Sequence, residues 1–221
     1  MDSLTVSIIV PNFNHLEFLP RRMDSILSQT HERIELILLD DASSDGSVEF
    51  LRQYERYPKV KHLVINSENS GSPFMQWQRG IALAEGDFIW LAESDDYCEP
   101  NFLEELLRFN SEKNNTLDII YSQSVDVDEN GEEVANRIEY TENFEPNIWR
   151  DNFVLDGTTF IKKYLKEKCV IPNASAAIFR RSALGKPALS TDHQQMRICG
   201  DWFFWLKLAR SGTVGFVSQP L

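Results

Sequence analysis

Four short apolar runs, each separated from the next by one helix-like segment, constrain the fold of this chain more than any other feature. They cover residues 6–10, 34–39, 60–65 and 88–92 and are rich in β-branched and aromatic side chains, which is typical of buried strands. A single helix between consecutive strands makes those strands parallel and places helices on the sheet faces. The sequence therefore predicts an α/β fold with a Rossmann-like, mostly parallel sheet flanked by helices.

The fourth run ends in three carboxylates within four residues, Glu93, Asp95 and Asp96. Two like charges about 4 Å apart repel by roughly 4 kcal/mol at an effective dielectric of about 20. A divalent cation removes that cost, and Mg²⁺-type sites often use one or two carboxylates together with a phosphate. The alternative is a solvated loop in which Asp95 or Asp96 begins the next helix.

Polar side chains also follow the other three runs. The carboxyl ends of parallel strands face one crevice, where ligands bind in open α/β sheets. We therefore expect a shared site at this edge. Local turn chemistry is the alternative for most of these residues, as Asx turns or turn-stabilising carboxylates. The set consists of Asn12 and Asn14, Asp40 and Asp41, and Asn69 and Gly71.

The second half of the chain has a mixed pattern, and we treat residues 1–221 as one domain with halves 1–97 and 98–221. Strands are predicted at 117–123, 174–179 and 214–217, a hairpin-like turn at 129–132, and a helix at 158–164. Residues 141–156 have no period and are expected to form a loop or lid. Arg180 and Arg181 are expected to begin a solvated helix. Asp201 opens an aromatic helix over 201–210, for which an N-cap is the ordinary explanation.

Charge and cysteine content narrow the function. The formal net charge is -12, from 22 basic and 34 acidic residues, which argues against nucleic acid or an anionic membrane surface as the main partner. No apolar run approaches the 18 residues of a membrane span, and the first residues do not resemble a signal peptide. Three cysteines without a C-x-x-C pair are typical of reduced thiols. We expect a cytoplasmic protein with at most peripheral association with the inner face of the membrane.

Five motifs, in this order, resemble those of family 2 glycosyltransferases, which are inverting enzymes with the GT-A fold. They are Val6-Ser-Ile-Ile-Val-Pro-Asn-Phe-Asn14, Leu39-Asp-Asp-Ala-Ser-Ser-Asp-Gly-Ser47, Asn69-Ser-Gly71, Ala92-Glu-Ser-Asp-Asp96 and Gly200-Asp-Trp202. The resemblance extends over nearly the whole chain.

The resemblance implies a role for individual residues. It places Asp41 against the base of a nucleotide, Asp95 near the ribose, Asp96 on Mn²⁺ or Mg²⁺, and Asp201 as the catalytic base. The nucleotide pocket would be lined by Pro11, Asn12, Phe13 and Asn14, with Asn69 and Gly71 in a turn near the donor. Among the tryptophans, which are expected mainly in the core, Trp202 is placed to pack against an acceptor ring.

The implied activity is transfer of a sugar from a nucleoside diphosphate sugar, typically a UDP-sugar, to a hydroxyl of a saccharide or glycolipid, as in cell-surface polysaccharide synthesis. Two departures from the family pattern stand out: Glu93 replaces the usual Asp, and Gln76-Trp-Gln-Arg-Gly80 stands where A-R-N-x-G is common. The chain also stops soon after Gly215, as a truncated catalytic core would. A non-catalytic nucleotide-sugar-binding module and a sugar nucleotidyltransferase remain as alternatives.

Overall fold

The fold was analysed in a computed structural model that describes residues 4–185 and 199–221. Its centre is an eight-stranded sheet with the order β3-β2-β1-β4-β9-β5-β10-β8. The strands are β1 Val6–Asn12, β2 Ile34–Asp40, β3 Val60–Ile65, β4 Phe88–Leu91, β5 Ile119–Gln123, β8 Phe153–Asp156, β9 Ala177–Arg180 and β10 Thr213–Pro220. A separate two-stranded hairpin consists of β6 Val125–Val127 and β7 Glu133–Asn136. The four predicted strands of the first half are confirmed.

The direction of the strands decides what meets at the functional edge. β1, β2, β3 and β4 are mutually parallel, and β5 is parallel to β10. β9 lies between β4 and β5 and is antiparallel to both, and β8 is an antiparallel edge strand. The carboxyl ends of β1, β2 and β4 therefore share an edge with the residues that precede β9. The predicted mostly parallel α/β fold is confirmed.

Helices cover both faces of the sheet, as expected for single-helix crossovers. They are α1 Leu19–Leu27, α2 Ser47–Arg52, α3 Pro73–Leu83, α4 Phe102–Glu112, α5 Gly157–Phe160, which continues as a π-helical turn over Ile161–Leu165, and α6 Gly200–Ala209. Side chains of α3, α5 and α6 bury one face, and those of α1, α2 and α4 bury the other. No helix of the described ranges is long and apolar enough to cross a bilayer.

Three expectations for the second half are corrected. Residues 141–156 are not a lid, since Phe144 and Trp149 are in the core and the Trp149 indole donates a hydrogen bond to the Tyr121 hydroxyl at 2.7 Å. The segment before β9 is a 3-10 turn, Ala174–Ala176, rather than strand. Arg180 ends β9, and its guanidinium donates to the carbonyls of Leu117 and Asn115, whereas Arg181 does begin a short 3-10 helix, Arg181–Ala183. In each case long-range packing overrides the local pattern.

Candidate active site at the carboxyl edge of the sheet

The ends of β1 and β2 are tied to each other by side-chain hydrogen bonds. Asn12 and Asp40 are register partners, and the Asn12 amide donates to the Asp40 carboxylate at 2.7 Å and to the Ser43 hydroxyl at 3.1 Å. The Asn14 side-chain oxygen Oδ1 accepts a hydrogen bond from the Ser44 backbone amide at 2.8 Å, and the backbone of Asn14 has a φ of 55°. Both asparagines therefore brace the two loops through hydrogen bonds between residues 28 to 31 positions apart, whereas an Asx turn would bond the backbone two residues on.

Asp41 is a buried carboxylate held by four donors. Its Oδ1 accepts from the Asn66 side chain at 2.6 Å, the Ser70 amide at 2.9 Å and the Gln76 side chain at 2.8 Å. Its Oδ2 accepts from the Ser70 hydroxyl at 2.7 Å. Since a carboxylate offers about four acceptor positions over two oxygens, Oδ2 keeps acceptor capacity. This is the atom through which Asp41 could accept from a ligand.

The turn after β3 shapes the space next to Asp41. The Asn69 side-chain amide donates to the Asp41 backbone carbonyl at 3.1 Å, and the Asn69 side-chain oxygen accepts from the Gly71 backbone amide at 2.7 Å. Gly71 has a φ of 74°, and no heavy atom lies within 4 Å of the position a Cβ would occupy. Glycine suits this left-handed conformation, and it leaves the backbone open to close approach by a ligand.

These residues enclose a cavity of about 320 Å³, which we call the donor cavity. Its described lining includes Pro11, Asn12, Phe13, Asp41, Asn69 and Gly71, together with His15, Ser72, Pro73, Gln76, Glu93 and Ser94. Phe13 is 44% exposed, which leaves an aromatic face available at the site. Most of the predicted nucleotide pocket is thus brought together, whereas Asn14 lies outside this lining and serves the adjoining loop.

Residues 93–96, which we call the acidic turn, line the donor cavity through Glu93 and Ser94. The Trp77 indole donates to Glu93 Oε1 at 2.5 Å. Burial raises the pKa of Glu93 to about 7, and repulsion from Asp95 and Asp96 adds to this, against the opposing effects of Trp77 and Arg22. Burial also raises the pKa of Asp96, whereas Ser175 and Arg22 act to lower it. Asp95, by contrast, is exposed.

A second cavity of about 510 Å³ lies on the other side of the acidic turn, and we call it the outer cavity. Asp95 and Asp96 line it, as do Asn173 and Ser175 from the turn before β9 and residues of the β6–β7 hairpin. Two cavities therefore flank one acidic turn, and Asp41 and the Asp95–Asp96 pair line different ones.

Asp201 and Trp202 line neither cavity among the described residues. Asp201 lies in the first turn of α6, directly after residues 186–198, which are outside the described ranges. Its Oδ2 is 3.9 Å from the Cys169 sulfur, and burial together with Asp201 raises the pKa of Cys169 to about 12. Trp202 is half-buried, and its indole donates to the Leu165 carbonyl at 2.6 Å.

One aromatic contact and one hydrogen bond connect α6 to the acidic turn. Phe204 of α6 packs edge-on against Trp77, with ring centroids 5.8 Å apart, and Trp77 bonds to Glu93. The position of Asp201 relative to the acidic turn therefore depends on the packing between α3 and α6.

The donor set fits Mg²⁺ or Mn²⁺, because both prefer oxygen ligands. No group of three or more His, Cys, Asp or Glu side chains in the described part of the chain could hold a metal by itself. The exposed Asp95 and half-buried Asp96 could supply one or two oxygens. The arrangement suits an ion that receives its remaining ligands from a diphosphate.

The residues at this edge that were not predicted as site residues include Arg22, Gln76, Trp77 and Ser175. Gln76 donates to Asp41, Trp77 donates to Glu93, and both Arg22 and Ser175 contact Glu93. A basic residue on the buried face of α1, between apolar Leu19 and Met23, was a usable signal for Arg22. Ser175 had no comparable signal, since its contact with Glu93 spans 82 residues of sequence.

The fold and site together define a class of protein, a Rossmann-like α/β domain with a carboxylate turn at the strand ends. The profile of Glycosyl transferase family 2 matches residues 7–186. The chain belongs to that family.

Named relatives are similar over about half of the chain. The chain is 33% identical over 128 residues to glycosyltransferase GlyG of Streptococcus pneumoniae serotype 4, and this match covers 56% of the chain and 40% of that protein. The chain is 34% identical over 119 residues to the poly(ribitol-phosphate) beta-glucosyltransferase of Bacillus spizizenii, and this match covers 52% of the chain and 18% of that protein. The matched regions span less than half the length of these relatives.

Solved structures share the fold over nearly the whole chain. Staphylococcus aureus TarS 1-349 in complex with UDP has a TM-score of 0.74 at 19% identity, covering 98% of this chain and 58% of that one. The mannosyltransferase PcManGT from Pyrobaculum calidifontis, in complex with GDP-Man and Mn²⁺, has a TM-score of 0.66 at 17% identity, covering 98% and 55%. These likenesses support the GT-A type of fold.

Proposed function

We propose that this protein is a metal-dependent, inverting glycosyltransferase that moves a sugar from a nucleoside diphosphate sugar, with UDP as the favoured carrier, to an acceptor hydroxyl. The observation that carries the proposal is the donor cavity, in which a fixed buried Asp41 and an open Gly71 backbone lie beside the acidic turn. TarS and PcManGT, which share the fold, have been solved with UDP and with GDP-Man and Mn²⁺.

Each group of the site has a separate task in this proposal. Asp41 Oδ2 accepts an N–H of the base, and Pro11, Asn12, Phe13, Asn69 and Gly71 position the nucleoside. Asp95 and Asp96 hold the ion, Mn²⁺ or Mg²⁺, which when bound neutralises charge on the departing diphosphate. Asp95 is the more available of the two, because it is exposed whereas Asp96 is half-buried beside Ser175.

Asp201 is the proposed general base, which removes the acceptor proton from the face opposite the leaving group. Its carboxylate lies one turn of helix from Phe204, on the element that packs against Trp77. Trp202 is proposed to offer its ring to the acceptor while its indole nitrogen is tied to Leu165. The chemistry requires only that Asp201 be ionised and correctly placed when the acceptor is bound.

We further propose a saccharide or glycolipid acceptor in cell-surface polysaccharide synthesis, in keeping with relatives such as the poly(ribitol-phosphate) beta-glucosyltransferase. The described cysteines are all free, which supports a reducing, cytoplasmic environment. Any contact with the membrane is proposed to be peripheral.

The first experiment is a thermal-shift screen of UDP-, dTDP- and GDP-sugars with and without Mn²⁺, followed by analysis of the products. A ligand present at 100 times its dissociation constant stabilises the fold by about 2.7 kcal/mol. We expect stabilisation only when nucleotide and Mn²⁺ are both present, and release of nucleoside diphosphate. Release of pyrophosphate would indicate a nucleotidyltransferase instead, and binding without any turnover would indicate a binding module.

Asp201→Asn tests the assignment of the base. We expect kcat to fall about 10²- to 10⁴-fold, the usual contribution of a general base, while donor affinity measured by calorimetry stays unchanged. Asp24→Asn, at an exposed position of α1, is the matched control and should keep normal turnover. Near wild-type turnover of Asp201→Asn would rule out the base assignment.

A further inference from the structure

Arg22 is a fully buried arginine on α1, with a relative exposure of 0%. A buried guanidinium is costly unless its charge is paired and its donors are satisfied. In the described part of the chain no carboxylate lies within ion-pairing distance of Arg22. Its Nη1 is buried without a hydrogen-bond partner there. The residue therefore contributes less to stability than an apolar side chain of its size could.

The two remaining nitrogens of the guanidinium donate hydrogen bonds to the acidic turn and to Ser175. Nε donates to the Glu93 carbonyl at 2.7 Å, and Nη2 donates to the Ser175 hydroxyl at 3.0 Å. The guanidinium carbon lies 5.4 Å from the ring centroid of Trp90, which restricts its position further. Asp96, Glu93 and Asp95 are the carboxylates whose negative charge acts on the guanidinium.

Ser175 completes the contacts with Glu93. Its Oγ also accepts from the Glu93 amide at 2.9 Å. Because the oxygen accepts twice, its own O–H remains free to donate, and Ser175 lines the outer cavity together with Asp95 and Asp96. A chain of contacts thus runs from α1 through Arg22 and Ser175 to the carbonyl and the amide of Glu93, the first residue of the acidic turn.

We propose that Arg22 is a positioning residue of the metal and diphosphate site, acting directly and through Ser175 to fix the backbone of Glu93, at which the acidic turn begins. The inference rests on the proposed function, since it assigns no separate reaction. The two-pronged fork is the relevant property, because one planar group reaches Glu93 and Ser175 at once. A lysine carries the same charge but cannot present two nitrogens in a fixed plane.

The test measures the dissociation constant of Mn²⁺ by electron paramagnetic resonance, in the presence of whichever of UDP, dTDP or GDP stabilises the protein most. We expect Arg22→Lys and Ser175→Ala each to weaken Mn²⁺ binding about ten-fold, within the range for residues that orient metal ligands. Since both act on one chain of contacts, the double variant should also lose about ten-fold, not the hundred-fold that independent sites would give.

Matched controls separate positioning from general destabilisation. Arg180→Lys alters an arginine that donates to the Leu117 and Asn115 carbonyls away from both cavities, and Ser122→Ala alters another buried serine. Neither should change the Mn²⁺ constant, whatever their effect on the melting temperature. Unchanged Mn²⁺ binding in Ser175→Ala, or additive losses in the double variant, would overturn the proposal, and Ser175→Ala decides alone if Arg22→Lys does not fold.

Failure of the proposed function gives a different result. In that case the wild-type protein itself neither binds Mn²⁺ with a nucleotide nor turns over a nucleotide sugar, and Arg22 has no site to position. Wild-type binding with insensitive variants would refute only the role of Arg22.

Discussion

At the scale of single residues, the two departures from the family pattern turn out to be in contact. When Gln76-Trp-Gln-Arg-Gly80 is aligned with A-R-N-x-G on the shared glycine, Trp77 takes the place of the arginine. Its indole donates to Glu93, which takes the place of the usual aspartate. The longer side chain of Glu93 reaches the neutral indole of Trp77, whereas the aspartate of the family pattern would face the charged arginine. Burial raises the pKa of Glu93, and the hydrogen bond from Trp77 only partly opposes this.

The raised pKa of Glu93 makes stability depend on pH. A folded-state pKa of about 7, above its ordinary value of 4.5, means that the folded state favours the protonated acid. The corresponding stabilisation is complete below pH 4.5 and is lost as the pH rises towards 7. Glu93→Gln keeps the acceptor for Trp77 without the charge, so we expect it to exceed the wild type in unfolding free energy by about 1–3 kcal/mol above pH 7.

Urea denaturation of the metal-free protein between pH 4.5 and 8 measures this difference. Glu85→Gln, at an exposed position, is the control and should show no pH-dependent gain. A Glu93→Gln difference that stays constant over the whole pH range would contradict the buried, protonated state of Glu93.

Much of the site was predictable at this scale, for a simple reason. Asp41, Asn69 and Gly71 directly follow strands whose apolar runs are plain in the sequence, so parallel pairing alone brings them to one edge. Arg22 and Ser175 are different, because their roles come from contacts across 71 and 82 residues. No local pattern encodes such a pairing.

At the scale of elements, β9 explains why the second half was harder to predict. It inserts between β4 and β5 and runs against both, so the turn before it reaches the carboxyl edge and delivers Ser175. The apolar run at 174–179 predicted a strand, but not its neighbours or its direction. The packing of residues 141–156 was missed for a related reason, since Trp149 is buried by Tyr121 of β5 and Tyr164 of the π-helical turn as well as by Phe144 and Phe153 of its own segment.

The placement of α6 can be tested through Gly200, its first residue. A Cβ at Gly200 would collide with the Phe74 ring of α3. We expect Gly200→Ala to destabilise the fold by about 1–3 kcal/mol, as overpacking does, and to displace Asp201 from its working position. Turnover should therefore fall more than donor affinity, as measured by steady-state kinetics and calorimetry. Arg210→Ala, at the exposed end of the same helix, should leave both unchanged.

An equal loss of donor affinity and turnover in Gly200→Ala would argue against this separation of tasks. It would mean that α6 supports the donor cavity itself, through Phe74 and Trp77, rather than carrying the base alone.

At the scale of the whole molecule, the two halves share one sheet, and both contribute side chains to the core on each of its faces. β4, the last strand of the first half, pairs on its outer edge with β9 of the second. The buried Trp90 of β4 stacks against Phe102, with ring centroids 4.8 Å apart, and its indole donates to the Ser175 carbonyl at 2.7 Å. The donor cavity and the outer cavity meet at the acidic turn, which both halves hold in place.

This interdependence predicts one cooperative unfolding transition for residues 1–221, with no independently folded half. Residues 1–97 expressed alone would expose the edge of β4 and the faces of Trp90 and Phe88, so we expect them to remain unfolded or to aggregate. Hydrogen exchange of the whole protein should show β1 and β9 opening with the same free energy. Two separated calorimetric transitions, or a folded fragment 1–97 that binds a nucleotide, would instead establish a donor-binding domain that folds without the second half.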